Sequence, residues 1–289
     1  MDLTAVALAL GSAVTHPLRE LFIKRNPYPE ALCIGVFMTW VVLAGLHALV
    51  LGLDFGSIAS VWPFVLVSAA AIMLYHFFIV VALRTGDLSI YYPIARSYPL
   101  IILVIGVLFL GHRYAVEAIV GMGLVLAGAF FLQHRRDAHL ISNKKALASV
   151  ILAMLCSAAY SLSDAIAIRS IHPAVFFFWD SLLVVPFGLA AFAMTRPPLR
   201  TWTNHYFGNW RTAPGGTVAA GITSYLSYAL ILFAYQAGGG VAAVNSIRQA
   251  SVPLSIALSG MILKEKNIHR RMGWSMVLVA GIVMIVLAK

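Results

Sequence analysis

The chain has 289 residues, of which 61% are hydrophobic and only 10% charged, with a mean hydropathy of +0.91. Soluble domains carry roughly 25% charged residues, so a soluble globule is excluded and an integral membrane protein is expected. The net charge of +10 would raise nucleic acid as a partner in a soluble protein. Here the positive residues collect in loops beside apolar runs, which fits anchoring in a lipid bilayer, and no nucleic-acid partner is expected.

About 20 apolar residues cross a bilayer core, and the chain offers ten such runs, near 3–22, 29–53, 60–83, 87–111, 115–133, 145–169, 173–194, 214–237, 240–263 and 269–288. The N-terminus has Asp2 and no basic run ahead of span 1, so no cleavable signal is expected. Cys33 and Cys156 sit in unrelated apolar runs with no metal-like spacing and read as inert core residues; no metal and no cofactor are expected. Only the segments 134–145 and 195–216 are long enough for a surface helix, and the second carries Trp202, Tyr206, Phe207 and Trp210 among basic residues, as a headgroup-level segment does. Of the 20 Lys and Arg, fifteen fall in loops that follow odd-numbered spans, which by the positive-inside rule puts those loops in the cytoplasm and both termini outside.

Residues 82–113, ALRTGDLSIYYPIARSYPLIILVIGVLFLGHR, lie over residues 234–266, AYQAGGGVAAVNSIRQASVPLSIALSGMILKEK. Residues 11–32 lie over 156–176 in the same way, and each match is followed by a glycine-bearing apolar span. The chain is therefore read as two five-span repeats, 1–137 and 145–289. An odd number of spans per half inverts the halves in the membrane and puts a substrate site between them at the midplane. The expected fold is all-α, with ten transmembrane helices in two inverted five-helix repeats.

The matched segments each place one Arg in an apolar helix, Arg96 followed by Pro99 and Arg248 followed by Pro253. A guanidinium at that depth is costly against lipid and belongs on a protein interior or wet cavity. The planar forks of Arg96 and Arg248 suit carboxylate, phosphonate or phosphate oxygens; the competing reading is that Asp180 or a backbone carbonyl holds one of them. Helical spacing adds polar neighbours: Tyr92 and Tyr98 in span 4, Tyr160 and Asp164 in span 6, Asn245 and Gln249 in span 9, and Ser12, His16 and Arg19 in span 1. Tyrosine faces both stack on apolar substrate parts and attract cations.

Arg19 and Asp164 align as counterparts across the repeat, and either they pair with each other or Arg19 joins the substrate site. Asp164, His16 and His76 are the candidate proton carriers, while His47 reads as structural. No span shows the unwound segment that cages sodium in other transporters, so coupling to protons is expected. Gly238, Gly239 and Gly240 are either a hinge or a tight turn. Small residues in spans 5 and 10, including Gly121, Gly128 and Gly281, permit close helix packing within a half or across a dimer.

The ten spans in two halves, the SAVTHPLRELFIKR first span, the A-L-R-T-G lead into span 4, the P-x-x-x-x-x-x-G core and the L-x-A-G of span 5 resemble the EamA-like drug/metabolite transporter superfamily. The resemblance covers essentially the whole chain. It implies a multi-pass protein of the cytoplasmic (inner) membrane, monomer or homodimer, that is not an enzyme. Spans 1, 3, 4, 6, 8 and 9 are then expected around a central cavity and spans 5 and 10 at the side. Gly111-His112 departs from the Gly-Glu usual in the family, whereas Lys264-Glu265 keeps the acid. The family also places both termini in the cytoplasm, against the charge count, and orientation stays open.

The function expected is a secondary active transporter of a small polar organic solute, anionic or zwitterionic, of amino acid, organic acid or organophosphonate type. It would work by alternating access with proton coupling. The alternatives are a flippase for a lipid-linked polar headgroup and an intramembrane enzyme acting on lipid phosphate. The enzyme reading is disfavoured because no metal motif or nucleophile constellation is present.

Overall fold

The computed structural model describes residues 2–24, 29–85, 93–133, 143–194, 210, 213–254 and 268–288. The described residues are helical, with no strand among them: α1 (Leu3–Lys24), α2 (Pro29–Val50), a 3₁₀ turn (Phe55–Ser60), α3 (Trp62–Thr85), α4 (Tyr98–Leu108), α5 (Val116–Gln133), α6 (Lys144–Ala167), α7 (Pro173–Met194), α8 (Pro214–Gln236), α9 (Val241–Arg248) and α10 (Ile268–Leu287). The α-helices lie on the apolar runs. Three stretches, Trp62–Ile79 in α3, Lys144–Ala167 and Pro214–Gln236, are long and apolar enough to cross a membrane, and shorter apolar helical stretches occur in α1, α2, α4, α5, α7 and α10. The segment 195–209 and the loop 134–142 lie outside the described residues, and with them the expected surface helices.

Local signals set the helix ends. Asn143 caps α6 by accepting the Ala146 N–H at 3.0 Å. Proline opens α2, α7 and α8, where its missing N–H costs nothing. At the end of α8 the Gly239 N–H reaches the Ala234 carbonyl and the Gly238 N–H that of Tyr235, both at 3.0 Å. Gly238 has φ +82°, so this is a Schellman turn that needs glycine at the left-handed position. The glycine triplet is thus a tight turn, the second of its two readings.

The helices bury their polar residues and expose their apolar ones. Val42, Leu46 and Leu49 of α2 and Met276, Val279, Val283 and Leu287 of α10 form exposed apolar stripes at helical spacing, while Ser12, Ser68, Ser161, Asp164, Asp180, Asn245 and Gln249 are buried. That is the reverse of a water-soluble bundle, in which buried charged and amide side chains are rare.

Helix packing pairs the first half of the chain with the second. α1 runs antiparallel along α8, with Ala5 at Gly239, Gly11 at Leu230 and Ser12 hydrogen-bonded to Ser227 at 3.1 Å. α3 runs antiparallel along α6, with Ser68 at Asp164 and the Tyr75 ring on that of Tyr160. α2 meets α7 where Gly45 faces the Phe178 ring. α5 meets α10 at their glycines: a Cβ on Gly121 would fall 2.7 Å from the Gly281 carbonyl oxygen, and one on Gly128 would fall 2.8 Å from Leu278 Cβ. The small residues of spans 5 and 10 therefore join the two halves to each other, whereas the sequence reading put them within one half or across a dimer.

Candidate functional site

Two helices are interrupted, and both interruptions fall at an arginine. A helical turn over 93–95 gives way at Arg96 and Ser97 before α4 begins at Tyr98. α9 ends at Arg248, and a new helical segment starts at Ser251 after Gln249 and Ala250. Tight i→i−3 bonds close both breaks, with the Ser97 N–H on the Ile94 carbonyl and the Gln249 N–H on that of Ser246, each at 3.0 Å. Pro99 and Pro253 then stand in the first turn of the restarted segment, where no helical N–H bond is forfeited. This corrects the expectation of continuous helices with proline at mid-span.

The two breaks are latched together. Arg96 Nε donates to Gln249 Oε1 at 3.1 Å and its Nη2 to Ser251 Oγ at 2.8 Å, while Gln249 Nε2 donates back to the Arg96 carbonyl at 3.1 Å. The carbonyl left over by the first break is thus satisfied by the side chain that follows the second arginine. Gln249 and Ser251 are fully buried. Arg96, expected as a substrate ligand, holds the two breaks in register through these bonds.

Arg248 is placed differently. Its guanidinium carbon lies 5.8 Å from the centroid of the Tyr228 ring, a cation–π distance. An aromatic cage adjoins it: Tyr160 packs against the Tyr228 ring, and Tyr98 and Tyr235 meet at Asn245, one turn earlier on α9. The Arg248 Nε is buried with no hydrogen-bond partner among the described residues, an expensive arrangement for a charged donor unless something else supplies the acceptor. The cage is stiffened from both sides: Tyr98 donates to Asn245 Oδ1 at 2.8 Å, and Asn245 Nδ2 meets the Tyr235 hydroxyl at 2.6 Å. Tyr160 contacts the rings of Tyr75 and Tyr228, and Trp40 stacks parallel on Tyr228 at 5.7 Å.

Beyond Tyr228 lies an acidic pocket. The Tyr228 hydroxyl donates to Asp164 Oδ2, and Ser68 Oγ donates to Asp164 Oδ1 at 2.5 Å. Asp164 is wholly buried, and both its oxygens are thus satisfied by neutral hydroxyl donors. The Arg19 side chain and Tyr92 lie outside the described residues, so the proposed Arg19–Asp164 pair is not part of this geometry. Asp180 of α7, which packs against α3, is 1% exposed, and among the described residues neither of its oxygens has a hydrogen-bond partner.

His16 is buried on α1, one turn from the Ser12–Ser227 contact. His76 spends Nδ1 on the Ile72 carbonyl at 2.8 Å and packs its ring on Phe37 and Tyr75. His47 bonds the Tyr225 hydroxyl through Nδ1 at 2.9 Å, a structural role as expected. In the connection before α7, His172 accepts the Ala174 N–H. Burial, with His47 close by, holds its imidazole below the ordinary histidine range. Among the described residues no group of three or more His, Cys, Asp or Glu is placed to hold a metal.

No protein-family model matches the chain, and no curated protein is similar to it. Of solved structures, 29 chains match. One, a crystal structure described only as that of a protein, superposes with a TM-score of 0.79 at 16% identity over 99% of both chains. At that identity the likeness is one of fold, and it extends from end to end.

Sequence reasoning brought Arg248, Tyr98, Tyr160, Asn245 and Asp164 to one region but missed Trp40, Ser68 and Ser251. A single Ser or Trp within an apolar run carries no periodic signal. The pairing of α3 with α6 gives Ser68 its role, that of α2 with α8 gives Trp40 its role, and the Arg96 latch gives Ser251 its role.

Proposed function

We propose that the chain is a multi-pass transporter of the EamA-like drug/metabolite type that moves a small anionic or zwitterionic organic solute by alternating access between two inverted halves. The observation that carries this reading is Arg248. It is a part-buried guanidinium over the Tyr228 ring, with an Nε that is buried and unpartnered among the described residues, at a helix break in a bundle whose outer surface is apolar. Such a donor suits a carboxylate, phosphonate or phosphate oxygen, and the surrounding rings suit the apolar part of the solute. The packing agrees with inversion. Exchanging the halves turns the antiparallel α1–α8 pair into α6–α3, which is also observed, and returns α2–α7 and α5–α10 to themselves. Broken helices that meet at the centre of a bundle are where transporters of this architecture build substrate sites.

Coupling to protons is assigned to Asp164, an acid on the far side of Tyr228 from Arg248. Substrate arriving at Arg248 moves the ring whose hydroxyl holds Asp164, so the two sites share one side chain.

Uptake into proteoliposomes tests the reading, using panels of amino acids, organic acids and organophosphonates with a proton gradient as the only driving force. Concentrative uptake of at least one charged solute is expected. Arg248→Lys should impair it, since a point-like ammonium does not reproduce a planar fork. Asp164→Asn should keep exchange but lose the response to the gradient. Accumulation of none of the charged solutes, with neutral ones transported, contradicts the proposal.

A further inference from the structure

We propose that the latch of Arg96, Gln249 and Ser251 is a gate, which closes the solute pathway toward the face at which α6 and α8 begin and must open for solute to pass that way. This role rests on the proposed transport, although opening of the latch is measurable without it.

The packing forms two bodies that correspond across the repeat. α1 packs against α8 and α9, and its counterpart α6 packs against α3 and α4. Arg248 and Tyr228 stand on the first body and Tyr160 and Asp164 on the second, so the candidate site lies in the crevice between them. Hydrogen bonds cross that crevice at different depths. α8 turns back through Gly238 into α9, so Gln249 and Ser251 lie nearer than Asn245 to the face at which α8 begins. The latch from Arg96 is therefore on that side of the Tyr98–Asn245 bond. The Tyr228–Asp164 bond crosses closer to the opposite face, where α6 ends at Ala167 and α3 begins at Trp62.

The contacts between the repeats are of two kinds. At α5 and α10 the backbones touch: a Cβ on Gly281 would fall 2.5 Å from the Gly121 carbonyl oxygen, and one on Gly121 would fall 2.7 Å from that of Gly281. Backbones held so closely by small residues leave no room to slide, which suits a pivot. The latch is the opposite case. Its three bonds are made by side chains, two of them donated by Arg96, which is part-exposed, so water can take over each bond as it is released. Exchanging a protein partner for a water partner carries a small net cost. That is what a contact opening once in each cycle needs, and a dry buried ion pair would not provide it. The break behind each arginine adds to this, because the short turns at Arg96 and Arg248 let the segments beyond them move apart while α4 and α9 stay whole.

Single-cysteine labelling reads the gate directly. The full-length chain, with Cys33 and Cys156 replaced by serine, carries Tyr160→Cys beside the cage and is reconstituted in vesicles treated with a membrane-impermeant maleimide. A companion carrying Lys145→Cys, exposed at the start of α6, reports which vesicles present that face. Ser251→Ala removes one bond to the Arg96 guanidinium and is expected to raise labelling of the Tyr160→Cys thiol from the α6 and α8 starting face by about 10-fold. The rate from the opposite face should stay as it was. An unmoved rate, or one raised equally from both faces, would overturn the gate. Should Ser251→Ala fail to fold, Gln249→Glu decides. The same shape with a charged acceptor holds Arg96 more tightly, so labelling from that face should slow, and a rate unmoved or raised overturns the gate. If labelling behaves as expected while no charged solute is accumulated, the gate stands and the transport reading fails. If charged solute is accumulated while labelling ignores the latch, the transport reading stands and the gate fails.

Discussion

Arg96 and Arg248 occupy matching places in the two halves of the chain, each at the point where its helix breaks ahead of a proline, yet they are employed in opposite ways. Arg96 gives its guanidinium to Gln249 and Ser251 and receives Gln249 on its own carbonyl. Arg248 lies over the Tyr228 ring, and among the described residues its Nε is unpartnered. The sequence repeat suggests two equivalent anion ligands. The structure shows that pseudo-symmetry in backbone need not carry over to side-chain function. The residue after each arginine makes the difference, since Gln249 is long enough to reach back to the first break and Ser97 is spent on the Pro93 carbonyl at 2.9 Å.

Stability measurements should separate the two arginines most widely. Gln249→Leu strands both the Arg96 guanidinium and the Arg96 carbonyl in a buried setting, and a loss of about 3 kcal/mol is expected, the upper range for bonds to a charged group. Arg248→Met removes a part-buried charge whose Nε has no acceptor, so it should be neutral to stabilising by ~1–2 kcal/mol. Unfolding of the two variants in the same detergent makes the comparison. A destabilised Arg248→Met with an unaffected Gln249→Leu would reverse the assignment.

A smaller effect is expected from the cage that supports Arg248. Tyr98→Phe deletes one bond to Asn245 and should cost ~1 kcal/mol, and Tyr235→Phe a similar amount. Because both hydroxyls converge on the same amide, the double variant should fall short of the sum. Strict additivity in the melting data would mean that the cage is not one unit.

The smallest effect concerns the outer end of the bundle, away from either arginine. Burial favours neutral His172, so its folded value lies below the unfolded value of roughly 6.5. A histidine lowered on folding contributes stability that is fully present above the unfolded value and is lost as pH falls through the folded one. The wild type should therefore lose slightly more stability on acidification from neutral pH than His172→Gln does. Parallel pH profiles of melting temperature for the two proteins would show that His172 has no such linkage.

The positions of the helices were legible because apolar runs of membrane length are a statement about composition, and composition is what hydropathy reads. The breaks were not legible. Pro99 and Pro253 are visible in the sequence, but whether a proline kinks a continuous helix or opens a new one depends on the backbone two residues earlier, which no periodicity records. Arg248, Tyr98, Tyr160, Asn245 and Asp164 were found because polar residues at helical spacing in an apolar run must face something other than lipid. Asp180 was visible too, but as a counter-ion for an arginine. It is instead buried on α7 against α3, and among the described residues neither of its oxygens has a hydrogen-bond partner. Ser68 and Ser251 owe their roles wholly to tertiary contact.

The central claim is that the solute's anionic group is held by Arg248 and not by Arg96. The direct measurement is the apparent affinity for a transported solute in Arg248→Gln and Arg96→Gln, prepared and reconstituted identically and corrected for the fraction folded. Loss of one charge-assisted contact is worth ~1.5–3 kcal/mol, so Arg248→Gln should weaken affinity by roughly 10-fold to 150-fold. Arg96→Gln should lose folded protein while keeping affinity within a few-fold of wild type. Equal losses of affinity in the two variants, or a loss confined to Arg96→Gln, would contradict the account.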